Sequence, residues 1–293
     1  YNTRAIGGEN DNTEIVKKIV DLRIKIANIL GYETYADYAL EERMAKNKLT
    51  VNDFIKNLLE PSMEFAKKDV ADVYAFAKKN GFEDSQLQSW DFSYWSEKYQ
   101  QAEYSLSAEE LKPYFQLESC IDAVLGLATR LYGITFKELD NVPVYHPDVK
   151  VYEVNDADGR HLALFYADFF PRASKRGGAW MTEFRGQSIR NGVEYRPFIS
   201  TVMNFTKPTA DAPALITHDE LVTFLHEFGH ALHGIFAEGR YGSLTGTNVS
   251  RDFVELPSQI MENWAFEPEY LNSFAKHYQT GEPIPAELIE KVV

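Results

Sequence analysis

Residues 218 to 236 read His218-Asp219-Glu220-Leu221-Val222-Thr223-Phe224-Leu225-His226-Glu227-Phe228-Gly229-His230-Ala231-Leu232-His233-Gly234-Ile235-Phe236. Acidic and polar residues come first and apolar ones follow, the order of a helix N-terminus, where free backbone N–H groups favour negative side chains. Leu221, Phe224, Leu225, Phe228, Leu232, Ile235 and Phe236 recur at spacings of three and four, which predicts a buried helix. Gly239 and Gly242 offer its stop. Within the helix lies the pattern His226-Glu227-x-x-His230. Positions four apart sit about 400° round a helix axis, so both imidazoles leave one face a turn apart and can reach one metal ion. A zinc ion held by two histidines keeps room for a water, whose proton the adjoining Glu227 carboxylate can accept. His233 falls about 60° off that face and is expected to be packed or hydrogen-bonded instead. His146, His161, His218 and His277 carry no ligand spacing.

With seven His among 293 residues, an accidental match to this pattern arises in roughly one chain per hundred. The helical context argues further against accident. A catalytic zinc site needs a third protein ligand, and Ser250-Arg251-Asp252-Phe253-Val254-Glu255-Leu256-Pro257-Ser258-Gln259-Ile260-Met261-Glu262 supplies one. Ser250 or Asp252 is placed to cap a second helix. Glu255, flanked by Phe253, Val254 and Leu256, enters an apolar setting in which a carboxylate needs a partner, and the metal is one. Glu262, seven residues on, lies on nearly the same face and can accept a hydrogen bond from a ligand imidazole, with Asp252 as a further supporting acid.

HEFGHALHG followed by LTGTNVSRDFVELPSQIMENW resembles the thimet oligopeptidase family of zinc metallopeptidases. The likeness continues upstream through YHPDVKVYEV, LALFYADFFPRASKRGGAWM and RPFISTVMNFTKP, and reaches RAIGGENDNTEIV and YALEERMAKN, so it covers essentially the whole chain. The stretch His146 to Trp180 looks most like the peptidyl-dipeptidase branch, which removes dipeptides from peptide C-termini, rather than the endo-acting oligopeptidases. The resemblance implies one zinc ion with His226, His230 and Glu255 as ligands and Glu227 as general base. It also implies a zincin-like arrangement, the HExxH helix beside a glutamate-bearing helix, within a larger helical peptidase. Members of that family are about twice as long and carry, beyond the glutamate ligand, a Gly/Tyr-rich loop and a histidine that stabilise the intermediate. Here only Tyr270, His277 and Tyr278 follow, and the chain begins at Tyr1, so it reads as a portion of a longer enzyme, expected to bind zinc and cleave slowly by itself.

Composition narrows the alternatives. A formal charge of −14 argues against nucleic acid, whose binders cluster Lys and Arg. No apolar run approaches a membrane span, and the first segment lacks a signal-peptide pattern. The single cysteine, Cys120, permits no internal disulfide and suits the cytoplasm, with a periplasmic or exported location open because an upstream part could hold a leader. Short peptides are the expected partners; the sequence does not specify an oligomeric state.

The pattern changes near residue 135, giving a helical region 1–135 and a zinc-binding region 136–293 with a small β-sheet, mainly α overall. Ile15, Ile19, Leu22, Ile26 and Leu30 keep helical spacing closed by Gly31, and Phe54 to Phe76 and Leu106 to Tyr132 behave alike; core packing explains all three. Residues 149–170 predict a β-hairpin turning at Asn155 to Gly159, and Tyr195 to Phe205 predicts another strand. Arg172, Lys175, Arg176, Gly177 and Gly178 form a basic loop whose spacing fits neither a Walker loop nor a dinucleotide fingerprint. Gly178 and Ala179 are instead expected to lie by the cleft, Ala179 on an edge strand pairing with peptide backbone. The competing functional reading is a non-catalytic peptide-binding fragment; a structural metal is weaker, since such sites fill four positions from Cys and His.

Overall fold

The computed structural model describes residues 6–104 and 108–292. Its contacts divide the chain into two compact units, Tyr1–Glu103 and Tyr104–Val293. The change of pattern near residue 135 marks where strands begin, whereas the division of contacts falls earlier, because the helix before the strands packs with them.

Among the described residues the first unit holds the α-helices α1 (Thr13–Ile29), α2 (Tyr35–Leu40), α3 (Lys48–Lys79) and α4 (Ser89–Tyr104). Gly31, at φ +88°, closes the turn after α1 as expected. Phe76 and Phe82 meet Trp95 and Tyr99 edge-on, tying the end of α3 to α4. Core packing of the α1 stripe is not what the structure has: Ile15, Ile19, Leu22, Ile26 and Leu30 are all exposed, and only Ala27 of that helix is buried. Likewise α3 buries only Val73 and Ala77. Helical periodicity correctly reported apolar faces, but among the described residues of this unit nothing covers them.

In the second unit, α5 (Ala108–Leu111) leads to α6 (Leu117–Tyr132), closed by Gly133 in the left-handed conformation at φ +73°. Leu106, the expected start of this helical stretch, lies outside the described residues. Seven strands follow: β1 (Thr135–Glu138), β2 (Lys150–Asn155), β3 (His161–Asp168), β4 (Trp180–Arg185), β5 (Ser188–Arg190), β6 (Val193–Tyr195) and β7 (Phe198–Val202). The predicted hairpin is β2 and β3, antiparallel, its turn held by Asp156 Oδ1, which accepts from the amides of Asp158 and Arg160. The sheet order is β1-β2-β3-β7-β4, with β7 parallel to β3 and antiparallel to β4, so β4 is an edge. β5 and β6 pair as a separate hairpin.

Four helices complete the unit: α7 (His218–Ile235), α8 (Leu256–Glu262), α9 (Pro268–Phe274) and α10 (Ala286–Val292). Phe224 and Phe228 of α7 join Phe165, Phe169 and Phe205 in the core between helix and sheet. Buried Cys120 sits in the same core. Among the described residues no helix is long and apolar enough to cross a membrane.

Candidate metal centre

Thr217 starts α7 with a reciprocal capping box: its hydroxyl accepts from the Glu220 amide at 3.1 Å, and Glu220 accepts from the Thr217 amide at 2.8 Å. The helix ends at Ile235, earlier than the glycines that were expected to stop it. Arg196, from the residues between β6 and β7, receives that end: its guanidinium donates to the carbonyls of Ile235 (2.9 Å) and Ala237 (3.0 Å), and to Leu162 of β3 (2.8 Å). A cation at a helix C-terminus is favourable, and here it also fastens the metal helix to the sheet.

On this rigid element His226 and His230 stand one turn apart, ring centroids 4.8 Å from each other. Glu255 Oε2 lies 3.3 Å from His226 Nε2 and 3.1 Å from His230 Nε2. These three residues form the one group of metal-ligand type found among the described residues, with their ligand atoms all within 4.8 Å. Corners of a tetrahedron with arms of 2.0 to 2.1 Å are about 3.3 to 3.4 Å apart, so the observed separations are those of a small tetrahedral cation's ligands. The hydrogen bonding agrees. His226 Nδ1 is 2.6 Å from Glu262 Oε1, so Nδ1 is the donor of that bond, and in a neutral ring Nε2 is then a lone pair facing a carboxylate oxygen. Two acceptors held face to face need a cation between them. Burial holds His230 below the usual histidine range against the pull of Glu255, keeping it in the neutral form that ligates.

The structure brings His226, His230, Glu255 and Glu262 together, but the surroundings expected for them differ. Glu255 is about half exposed (51%), and Phe253 and Leu256 beside it are exposed too, so its setting is not apolar. The residues before α8 form an irregular turn that presents them outward, and Glu255 finds its partners in the two histidines and in Ser258, whose hydroxyl donates to Oε2 at 3.0 Å. Glu255 itself occupies the N-cap position of α8, rather than Ser250 or Asp252. Asp252 is exposed in that turn and is not a member of the ligand group. Tyr270 is in the core against Trp264 and Phe274, and His277 stacks on Tyr278. His233 packs on Phe253, and His218 bonds the Ala265 carbonyl at 2.8 Å, both structural as expected.

Two contacts decisive for the site carried no sequence signal. A Cβ on Gly229 would stand 2.6 Å from Ser258 Cα and 2.7 Å from the Pro257 carbonyl, so α8 crosses α7 with backbone against backbone. That approach delivers Glu255 to the histidines. Glu227, 7% exposed, lies beside the backbone of Met181 on β4. Burial pushes its carboxyl up, with Glu255 adding to the rise and His226 and the Met181 amide opposing it. β4, an edge of the sheet, packs against the metal helix. Ala179 sits immediately before β4 rather than on it, and Gly178 at φ +89° shapes the approach. Two of the three cations of the basic loop turn inward, Arg172 and Lys175 both binding buried Asp168.

The model of peptidase family M3 matches residues 1–293. The chain belongs to peptidase family M3. It is 42% identical over 294 residues to the dipeptidyl carboxypeptidase of Salmonella typhimurium, covering 99% of this chain and 42% of that protein. Similarity to oligopeptidase A of Escherichia coli is nearly equal, 41% identity over 300 residues, covering all of this chain and 44% of that protein. Saccharolysin of Saccharomyces cerevisiae is 33% identical over 97% of the chain and 42% of its own length. The M3 chain thus spans less than half the length of each of these relatives.

Proposed function

We propose that this M3 chain carries the zinc-binding and general-base residues of a metallopeptidase that hydrolyses short peptides, releasing C-terminal dipeptides. The observation that carries the reading is the convergence of His226, His230 and Glu255 on one point beside the buried carboxylate of Glu227. Zinc is the metal we assign, because two imidazoles and one carboxylate with no thiolate are the donors of catalytic, open zinc sites. A zinc ion bound there acidifies water toward a pKa of ~7 and polarises a carbonyl oxygen.

The chain's own residues do the rest. Glu262 holds the His226 ring by its Nδ1–H and fixes its orientation. Glu227, out of solvent beside the Met181 backbone, accepts the proton of the attacking water and hands it to the leaving amine. The open edge of β4, continued by Gly178 and Ala179, aligns the peptide main chain as an added strand. A lone cysteine agrees with a cytoplasmic enzyme, the compartment we assign. The near-equal identity to oligopeptidase A favours a second reading, internal cleavage of oligopeptides.

Hydrolysis of one oligopeptide with a free and with an amidated C-terminus tests the assignment. Dipeptide release that requires the free carboxylate is expected, and internal cleavage of both supports the second reading. Glu227→Gln should keep zinc and lose ~10² to 10⁴ in rate, the usual worth of general-base catalysis. Near-normal turnover by that zinc-loaded variant would assign the base elsewhere.

A further inference from the structure

The connection from β3 to β4 runs from Phe169 to Ala179 across the end of β7, without regular secondary structure. Connections of this kind are ordinarily the mobile parts of a fold. This one is fixed at both ends by side chains. Lys175 donates to Asp168 Oδ1 at 2.9 Å, the Asp168 carbonyl at 3.0 Å and the Phe170 carbonyl at 2.8 Å, which uses all three ammonium protons. Asp168, wholly buried, also accepts both arms of Arg172 (3.0 and 2.9 Å) and the Tyr145 hydroxyl (3.0 Å). At the other end Asn204, two residues beyond β7, donates through Nδ2 to the carbonyls of Arg176 (2.8 Å) and Gly178 (2.7 Å).

Burying a carboxylate with an ammonium is costly, and a sheet core does not require it. The effect here is to set a backbone. With the Gly178 carbonyl turned inward to Asn204, the chain passes through Ala179 directly into β4 at Trp180. Asn204 therefore stands in for a strand partner where β7 has ended.

We propose that Asn204, backed by the Asp168–Lys175 pair, is a positioning residue for peptide substrate. It holds Gly178 and Ala179 as a preformed continuation of the open edge of β4. The inference rests on the peptidase reading above. A preformed edge lowers the ordering cost of binding and leaves the chemical step alone, so its loss belongs in KM.

The test is Asn204→Ala in the zinc-loaded enzyme, a partly exposed site whose truncation leaves the core intact. Removing two hydrogen bonds should raise KM ~10-fold or more. Turnover at saturation should stay within ~2-fold, with zinc content unchanged. A peptide-length hydroxamate should bind correspondingly weaker, while acetohydroxamate, which reaches only the metal, should bind as before. Unchanged KM and unchanged peptide-hydroxamate affinity would overturn the proposal, as would parallel losses of turnover and zinc. A wild type that holds zinc yet cleaves no peptide sinks the peptidase reading itself; a peptide-cleaving wild type beside an unaltered variant sinks this inference alone.

Discussion

His226 shows how much one side chain's surroundings decide. Glu262 Oε1, 2.6 Å from Nδ1, accepts the ring's hydrogen bond and so holds Nε2 toward Glu255. Glu262→Ala should therefore keep all three ligands and still lower zinc affinity by ~10- to 100-fold, the usual cost of removing such a partner. Competition with a chromophoric chelator measures it, and wild-type affinity in the variant would show the ring is held some other way. Asp168 makes a different prediction. Burial alone would push its carboxyl up, but hydrogen bonds and charge from Arg172 and Lys175 outweigh burial and hold it below the usual carboxylate range. A carboxyl lowered in the folded state stabilises fully above its unfolded pKa of ~3.9 and loses that contribution as pH falls toward the folded value. Asp168→Asn, which strands two cations, should cost about 3 to 5 kcal/mol at neutral pH. The gap between variant and wild type in urea unfolding should narrow below pH 4; a gap constant from pH 7 to 3 would mean the charge is immaterial.

Between elements, the crossing of α7 and α8 matters most. Gly229→Ala changes no ligand, yet its Cβ would meet the backbone of Pro257 and Ser258, which cannot yield as a side chain can. We expect α8 to be displaced and Glu255 drawn off the histidines, with zinc affinity lowered ~10-fold or more. Unaltered affinity would show that the turn before α8 absorbs the shift. The helix, its acidic start and the two histidines were legible because they obey local rules of spacing and of charge at a helix N-terminus, whereas the Thr217 cap was not read. Gly229 reads in the sequence only as the second free position of the motif, since what excludes a Cβ comes from 28 and 29 residues away. The β2–β3 hairpin was legible for the same local reason, whereas the parallel pairing of β7 with β3 depends on a crossover that no local pattern encodes. Glu255 was singled out for neighbours that turned out to be exposed, so its environment was misread.

For the molecule as a whole, periodicity identified α1 and α3 as amphipathic helices, but the core packing expected of their apolar faces is not what the structure has. In the second unit the same kind of stripe, on α7, is buried against the sheet, and there the pattern yielded both helix and core. The central claim, a zinc site of two imidazoles and one carboxylate, is tested most directly by X-ray absorption at the zinc edge on the reconstituted protein and on Glu255→Ala. The account predicts one zinc per chain with two imidazole nitrogens and a carboxylate oxygen about 2.0 to 2.2 Å away, the carboxylate contribution lost in the variant. A sulfur ligand, or a zinc environment identical in wild type and Glu255→Ala, would contradict it.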